Sequence, residues 1–382
     1  MPEISQQEHQ ISASEMPPRV KELPPAYVGS EIVSMLRKQK AKSGISFALA
    51  TDIDNTFRRK DDNTEIDRQS IETTNQLARE ASEADIPIIA VTGVDVQGVI
   101  KRMQSGDLPY VPVIAGAVGT ELWIGHKDAE GKITYTRDEK FGEQFTDEKS
   151  PRYYPRQEVV RKADAIIGNA GIQHPDWELQ FQHPEVEQAY LNGQQADIQP
   201  FKTSFYTFAV DGQRNNIQRE FEDQFKGQKV VICEEIGYNQ AHTGEARKKY
   251  CIDVLPVTKA DVVNYLQEVL DIDALAVAGD SGNDKDLLTG AGDLAIQVGG
   301  AKKELVETID RVVHDADGSL SMKKVPQVDG GEKFYYQEAG GARRGPDSIL
   351  RGSKLLLRAL RRFGQTPEIQ TMATEVLGAS KK

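Results

Sequence analysis

Asp52 and Asp54 lie one residue apart in Asp52-Ile53-Asp54-Asn55-Thr56, directly after a mostly apolar run from Ile45 to Ala50. In an extended segment alternate side chains share a face, so both carboxylates can reach one site. Such a pair lets one carboxylate attack and hold a cation while the other moves protons. By itself the spacing also fits a solvated acidic loop. Three further pieces give it company. Thr92 closes the apolar run Ile86 to Val91, where its hydroxyl can donate to a phosphoryl oxygen. Lys259 falls in the first turn of a helix that Thr258 can cap, so its ammonium joins the helix's positive end in facing an anion. Gly279-Asp280-Ser281-Gly282-Asn283-Asp284 follows another apolar run, with carboxylates and a tight turn suited to a hard cation.

These group types suit phosphoryl transfer. The moving phosphoryl carries negative charge on its equatorial oxygens and repels a carboxylate nucleophile. A divalent cation shared by carboxylate and phosphate removes that repulsion, while a lysine and a hydroxyl hold the remaining oxygens.

All four pieces sit at strand ends, where open parallel sheets bind ligands. The rhythm of the chain supplies such a sheet. Asp67 to Ala84 reads as a helix with Asp67 as its N-cap, Ile86 to Val91 and Val111 to Ala115 as strands, and Ile32 to Lys40 as a short helix. From about Gly125 the texture changes to a polar segment punctuated by Pro151, Pro155, Pro175, Pro184 and Pro200. Within it Val159 to Gly168 and Asn216 to Phe225 read as helices, and Ser204 to Val210 and Lys229 to Cys233 as strands. The α/β rhythm returns at Cys251, with strands Ala274 to Ala278 and Leu294 to Val298 and a last helix from Ser348 to Phe363. An insertion that interrupts an α/β pattern reads as a lid or specificity domain.

Composition narrows the partners. A formal charge of −12 over 382 residues, with no long basic block, argues against nucleic acid or an anionic membrane. Cys233 and Cys251 are too few for a disulfide framework or thiolate zinc site and read as small core residues. No secretory signal or membrane-spanning apolar run is evident, so a soluble, cytoplasmic protein is expected. Met1 to about Pro25, rich in Gln, Glu, Ser and Pro, reads as a mobile tail, with the fold beginning near Ile45.

With the four pieces in this order, the sequence resembles the haloacid dehalogenase superfamily of phosphotransferases, and within it the sucrose-phosphate phosphatase branch. The resemblance rests on DIDNT, the threonine of IIAVTG, AVGTE at Ala117 to Glu121, KTSF at Lys202 to Phe205, DVLP at Asp253 to Pro256, the lysine of PVTK, GDSGND, and GPDSILRG at Gly345 to Gly352. It implies an α/β fold with a Rossmann-like parallel-sheet core over 44–124 and 250–364 and an inserted α+β cap over 125–249, flanked by tails at 1–43 and 365–382. It further implies a Mg2+-dependent phosphomonoesterase acting on a small-molecule sugar phosphate, with sucrose 6-phosphate the leading substrate. Asp52 would be the nucleophile and Asp54 the proton carrier. Thr92, Gly93 and Lys259 would bind the phosphoryl group. Asp52, the backbone carbonyl of Asp54, Asp280, Asp284 and Asn283 would surround the metal, and Lys202, Thr120 and Glu121 would meet the sugar. The branch commonly continues Thr-Gly with Arg and Ser, where this chain has Val94 and Asp95. A sugar phosphomutase using the same intermediate, a signalling receiver domain, and a non-catalytic phosphate-binding regulator are the competing readings. Asp54 and the second acidic turn after the lysine argue against the receiver.

Overall fold

Every residue of the strand Phe47–Thr51 (β1) is buried, as required of a parallel strand covered by helices on both faces. The computed structural model describes residues 23–59, 63–173, 177–192, 200–210, 213–242, 245–313, 317–319, 322–326, 332–338 and 349. Around β1 the first half of the chain lays down α1 (Glu31–Ser43), α2 (Thr64–Glu83), β2 (Ile88–Val91), α3 (Val96–Gln104) and β3 (Val113–Gly116). A hairpin of β4 (Glu121–Lys127) and β5 (Ile133–Arg137) leads to α4 (Glu139–Thr146). Next come α5 (Arg156–Gln173), β6 (Trp177–Phe181), α6 (Pro184–Leu191), β7 (Thr203–Val210), α7 (Arg214–Gln224), β8 (Lys229–His242) and β9 (Glu245–Leu255). The chain then forms α8 (Lys259–Leu270), β10 (Ala274–Gly279), α9 (Lys285–Gly290), β11 (Leu294–Gln297) and α10 (Lys303–Val312). Strands β12 (Asp317–Ser319), β13 (Met322–Pro326) and β14 (Glu332–Gln337) follow.

Two sheets result. The larger has the order β12-β13-β14-β11-β10-β1-β2-β3-β4-β5, and its central strands from β14 to β3 are parallel. The smaller, antiparallel sheet has the order β6-β7-β9-β8. The α/β class with a large, mainly parallel sheet is as expected. Sheet membership shifts the expected cap boundaries at both ends. The hairpin β4–β5, assigned to the cap from Gly125 onward, pairs with the large sheet through β3. Strand β9, whose second half was assigned to the core from residue 250, belongs to the small sheet as far as Leu255. The alternating pattern of such a hairpin marks a strand pair and not the sheet that accepts it, which packing between distant segments decides.

The expected tail at 1–43 is also corrected for its second part. From Leu23 onward the chain is folded: Tyr27, Ile32, Val33 and Leu36 join the main core. Each large apolar side chain so buried contributes about 1.5–3 kcal/mol relative to exposure, enough to hold α1 on the sheet. The Tyr27 hydroxyl donates to Asp138 Oδ2 at 2.8 Å, and Tyr265 of α8 donates to the same oxygen at 2.9 Å. The N-cap of α2 is Asn63, which accepts from the Glu65 and Ile66 amides; Asp67 sits in the first turn and binds Arg58 instead. The expected mobile segment up to residue 22, the helix Ser348 to Phe363 apart from Ile349, and the tail 365–382 lie outside the described residues. Among the described residues no helix is long and apolar enough to cross a membrane.

Candidate active site

Asp52, Thr92 and Asp280 each stand one residue beyond a parallel strand, β1, β2 and β10 respectively. Their backbones still follow the ladder: the Asp52 amide donates to Ala278 O at 3.0 Å and the Thr92 amide to Ala115 O at 2.9 Å. Because β1 lies between β10 and β2, the three side chains converge at the carboxyl edge of the sheet. Lys259 opens α8, where Thr258 and Asp261 form a reciprocal cap. The register of β1 with β10, Thr51 opposite Ala278, brings the two acidic loops side by side.

Lys259 is fully buried, and its Nζ lies 2.7 Å from both Asp52 Oδ1 and Asp284 Oδ1. Oxygens of Asp52, Asp280 and Asp284 all fall within 4.8 Å of one another. Burial pushes the Asp52 carboxyl well up; Lys259 opposes this, and Asp284 and Asp280 add to it. Burial and then Asp284 push Asp280 up to about 7. Burial alone would push the Lys259 ammonium down, but Asp284 and Asp52 reverse this and hold it above its usual value. Three buried carboxylates against one ammonium leave negative charge uncompensated. Their donor set, all oxygen, fits a hard divalent cation.

Glycines set the shape of the acidic turn. A Cβ on Gly279 would stand 2.4 Å from Asp284 Cβ, and one on Gly282 would stand 1.9 Å from Glu304 Oε1. With that room, Asp284 turns Oδ2 onto the amides of Asp280 and Ser281, both at 3.0 Å, and leaves Oδ1 to Lys259. Thr56, the last residue of the first acidic motif, donates its hydroxyl to Asp280 Oδ1 at 3.1 Å and ties the two loops together.

Thr92 is held from below by a strained turn. Ala117 and Val118 both have positive φ, at 48° and 63°, unusual for a β-branched residue. The Val118 amide donates to Thr92 O at 2.8 Å, and the Ala117 amide to Val94 O at 2.9 Å. Gly119 lets this turn press on the start of α8, since a Cβ there would lie 3.1 Å from Thr258 O. The Thr92 hydroxyl accepts from the Val94 amide at 3.2 Å, which leaves its proton for an anion. Gly93 faces Asn283, whose Nδ2 would be 3.9 Å from a Cβ at that glycine.

Comparisons with known proteins bear on the family and the fold. The family model described as sucrose-6F-phosphate phosphohydrolase matches residues 45–150 and 171–322, more than half of the chain. The chain belongs to that family. It is therefore a phosphatase of the haloacid dehalogenase superfamily, acting on sugar phosphates. Among solved structures, the sucrose-phosphatase of Synechocystis sp. PCC6803, in complex with sucrose and phosphate, shares the fold. It has 16% identity and a TM-score of 0.50, covering 83% of this chain and 97% of that one. The C-terminal domain of trehalose-6-phosphate phosphatase from C. albicans aligns at 14% identity and a TM-score of 0.38, over 73% of this chain and 96% of that one. A haloacid dehalogenase-like hydrolase of Bacillus subtilis aligns at 16% identity and a TM-score of 0.37, over 72% and 91% respectively. No curated protein sequence matches significantly.

Within this sugar-phosphate phosphatase the remaining expected residues divide. Asp54 does not turn its carboxylate into the cluster of Asp52, Asp280 and Asp284; Oδ1 accepts from Arg102 Nη1 at 2.8 Å. Alternation placed Asp52 and Asp54 on one face, but the chain leaves β1 at Thr51 and turns at Asn55, whose φ is 60°, so strand geometry no longer applies. Asn283 is tied to the acidic turn through Oδ1, which accepts from Ser281 Oγ at 2.7 Å. Thr120 is buried, and its hydroxyl is committed to Ala117 O at 3.0 Å. Glu121 accepts from the Val96 amide at 3.3 Å and supports the start of α3; burial pushes its carboxyl up, with the Val96 bond opposing. Asp95, where the branch has Ser, is the N-cap of α3 and accepts from the Gly98 amide at 2.8 Å.

Lys202 immediately precedes β7 and is buried, with Nζ 3.4 Å from Asp253 Oδ1; the Ser204 hydroxyl donates to that oxygen at 2.6 Å. Ser204 pairs with Asp253, and Cys233 with Cys251, so one face of the small sheet carries all four. Burial and Asp253 push the Cys233 thiol up to about 12, with Lys302 opposing. Arg214 Nε lies 3.2 Å from Glu304 Oε2, and Lys302 Nζ donates to Glu234 O at 2.7 Å, joining the small sheet's elements to α10 and the segment before it. A cleft of about 70 Å³, lined by Arg214, Gln218, Ile232, Gly282 and Asn283 among others, runs along this junction. Sequence reasoning missed Arg102, Arg58, Asp107 and Lys302. None belongs to a short motif, and only Arg58, two residues after DIDNT, lies near one.

Proposed function

We propose that the protein hydrolyses a sugar phosphate by way of an aspartyl-phosphate on Asp52, with Mg2+ as cofactor and sucrose 6-phosphate as the leading substrate. The observation that carries this reading is the buried Lys259 bridging Asp52 and Asp284, with Asp280 inside the same 4.8 Å cluster. Asp52, Asp280 and Asp284, with Asn283 and the Asp54 carbonyl beside them, would hold the cation, which when bound lowers the repulsion between carboxylate and phosphate.

In the first step an Asp52 oxygen attacks phosphorus and the bond from phosphorus to the sugar oxygen breaks. Asp54 gives its proton to that oxygen, and the sugar alcohol leaves. In the second step Asp54 takes a proton from water, the hydroxyl oxygen attacks phosphorus, and Asp52 is released with inorganic phosphate. Lys259, the Thr92 hydroxyl and the Gly93 amide neutralise and orient the phosphoryl oxygens. The segment from α5 to β9 serves as the cap, and Lys202, with Asp253 and Ser204 beside it, supplies polar groups to the sugar. The sucrose-phosphatase neighbour with bound sucrose and phosphate supports this choice of substrate.

A phosphate-release screen over sucrose 6-phosphate, trehalose 6-phosphate, glucose 6-phosphate and a nucleoside monophosphate, each with and without Mg2+, tests the reading. Mg2+-dependent release with sucrose 6-phosphate preferred is the expected result. Release from the nucleotide alone would overturn the substrate class, and conversion to an isomeric sugar phosphate would establish a mutase.

A further inference from the structure

Asp54 is the exposed end of a chain of alternating charges. Its Oδ1 accepts from Arg102 Nη1 at 2.8 Å, and Arg102 Nε donates to Asp107 Oδ2 at 2.6 Å. The other Asp107 oxygen accepts from Arg58 Nε at 3.0 Å. Arg58 then forks through Nη2 onto both oxygens of Asp67, each at 2.9 Å. The two arginines are the most buried members, at 2% side-chain exposure for Arg58 and 14% for Arg102, and Asp54 is the most exposed at 43%. Arg58 is therefore the buried anchor of the series, and Asp54 is its most exposed member.

An exposed ion pair alone holds little, because ordering two side chains offsets the attraction. Here Arg102 is ordered before it meets Asp54. The turn after α3 uses Gly106, with φ at 80°, to bring Asp107 back, and the amides of Asp107 and Leu108 donate to Arg102 O at 3.0 and 3.2 Å. Asp107 thus clamps the guanidinium from one side and is itself clamped by Arg58. No described residue hydrogen-bonds Asp54 Oδ2, so the grip on Oδ1 fixes the carboxylate's rotation while one oxygen stays open to a leaving group.

We propose that Arg102, clamped by Asp107, is the positioning residue for Asp54 in proton delivery to the leaving sugar oxygen. This rests on the reading of Asp54 as the proton carrier. A displacement of about 1 Å in a reacting group costs on the order of 10²-fold, so losing the clamp is expected to weaken proton transfer by that order. Proton delivery matters for an alcohol leaving group and little for nitrophenolate, which departs without it. The test is therefore kcat/KM, which reports the steps through the first phosphoryl transfer, for the best sugar phosphate of the screen and for p-nitrophenyl phosphate. Arg102→Gln is expected to lower the ratio of the two values by roughly 10- to 100-fold. Asp107→Asn should lower it in the same direction by less, and Arg102→Lys should recover part of it. In an Asp54→Asn background, Arg102→Gln should add no further change to the ratio.

An equal loss on both substrates in Arg102→Gln and Asp107→Asn would reduce the chain to scaffolding and overturn the proposal. So would an additive effect in the Asp54→Asn background. If Asp54→Asn itself affects both substrates equally, the proton-carrier reading of Asp54 fails, a result distinct from failure of the clamp alone. Should Arg102→Gln not fold, Asp107→Asn and Arg102→Lys carry the comparison.

Discussion

Replacing Lys259 by methionine separates anion binding from cation binding at the site. The side chain is of similar length and apolar, so the perturbation is the loss of one positive charge 2.7 Å from both Asp52 and Asp284. At an effective dielectric near 20, each contact is worth roughly 4–6 kcal/mol of direct attraction. Desolvation of the ammonium and carboxylates offsets most of this. Removing one partner of such a buried cluster costs about 3–5 kcal/mol of stability, because the remaining charges are left unopposed. The same ammonium is a fixed donor to the phosphoryl oxygens, and losing it should raise the barrier by about 3 kcal/mol, or ~10²-fold in rate. The remaining carboxylates should attract a divalent cation at least as strongly as before. Urea unfolding with and without Mg2+, together with single-turnover phosphate release, reads both effects. The expected outcome is a large loss of stability without metal, partly restored by Mg2+, with rate still depressed at saturating metal. A rate within threefold of the parent would refute the phosphate-binding role. A variant that Mg2+ stabilises much less than the parent would refute the claim that excess negative charge governs the cluster.

Other outcomes follow from the same geometry. Asp52→Asn should reduce phosphate release to background with the fold retained, because the amide is not a competent nucleophile; undiminished turnover would remove the nucleophile assignment. Lys202→Ala should raise KM for the sugar phosphate ~10-fold more than for an aryl phosphate, the loss of one charged hydrogen bond. Equal changes in both would exclude Lys202 from sugar recognition. Lys333 is buried in β14, and burial pushes its ammonium down to about 7, with Asp293 opposing. The unfolded chain, with a lysine pKa near 10.4, then binds more protons than the native one above pH 7. Its contribution to stability therefore rises with pH from about 7 to 10, by at most about 1.4 kcal/mol per unit. Lys333→Met should flatten that slope in urea midpoints at pH 7, 8 and 9, and an unchanged slope would exclude Lys333 as its source.

Much of the scaffold was legible because its signals are local. The short apolar runs at β1, β2 and β10 read as strands buried on both faces, and the residue that follows each strand is the one carrying chemistry. The capping of α8 by Thr258 was legible for the same reason, since the cap is a contact within one turn. Less legible were features whose partners are distant. The edge hairpin β4–β5 and the length of β9 depend on which sheet accepts them, a choice made by register and packing. Helix α1 read as a short helix outside the fold because its apolar stripe finds a partner only in the core that includes β4 and α8.

The sequence by itself determined the reagents: a carboxylate after each of two strands, a hydroxyl after a third, and a lysine at a helix start. Their types and spacing are local properties of the backbone, and they sufficed for the reaction class. Only the tertiary structure decided how they face one another. It turned Asp54 out of the carboxylate cluster toward Arg102, made Asp95 a helix cap, and committed the Thr120 hydroxyl to a turn. It also showed why the glycines matter, since Gly279 and Gly282 leave the room that Asp284 and Glu304 occupy. Charge pairing and steric room are set by contacts between residues far apart in the chain, such as Asp52 and Lys259, and no local pattern specifies them.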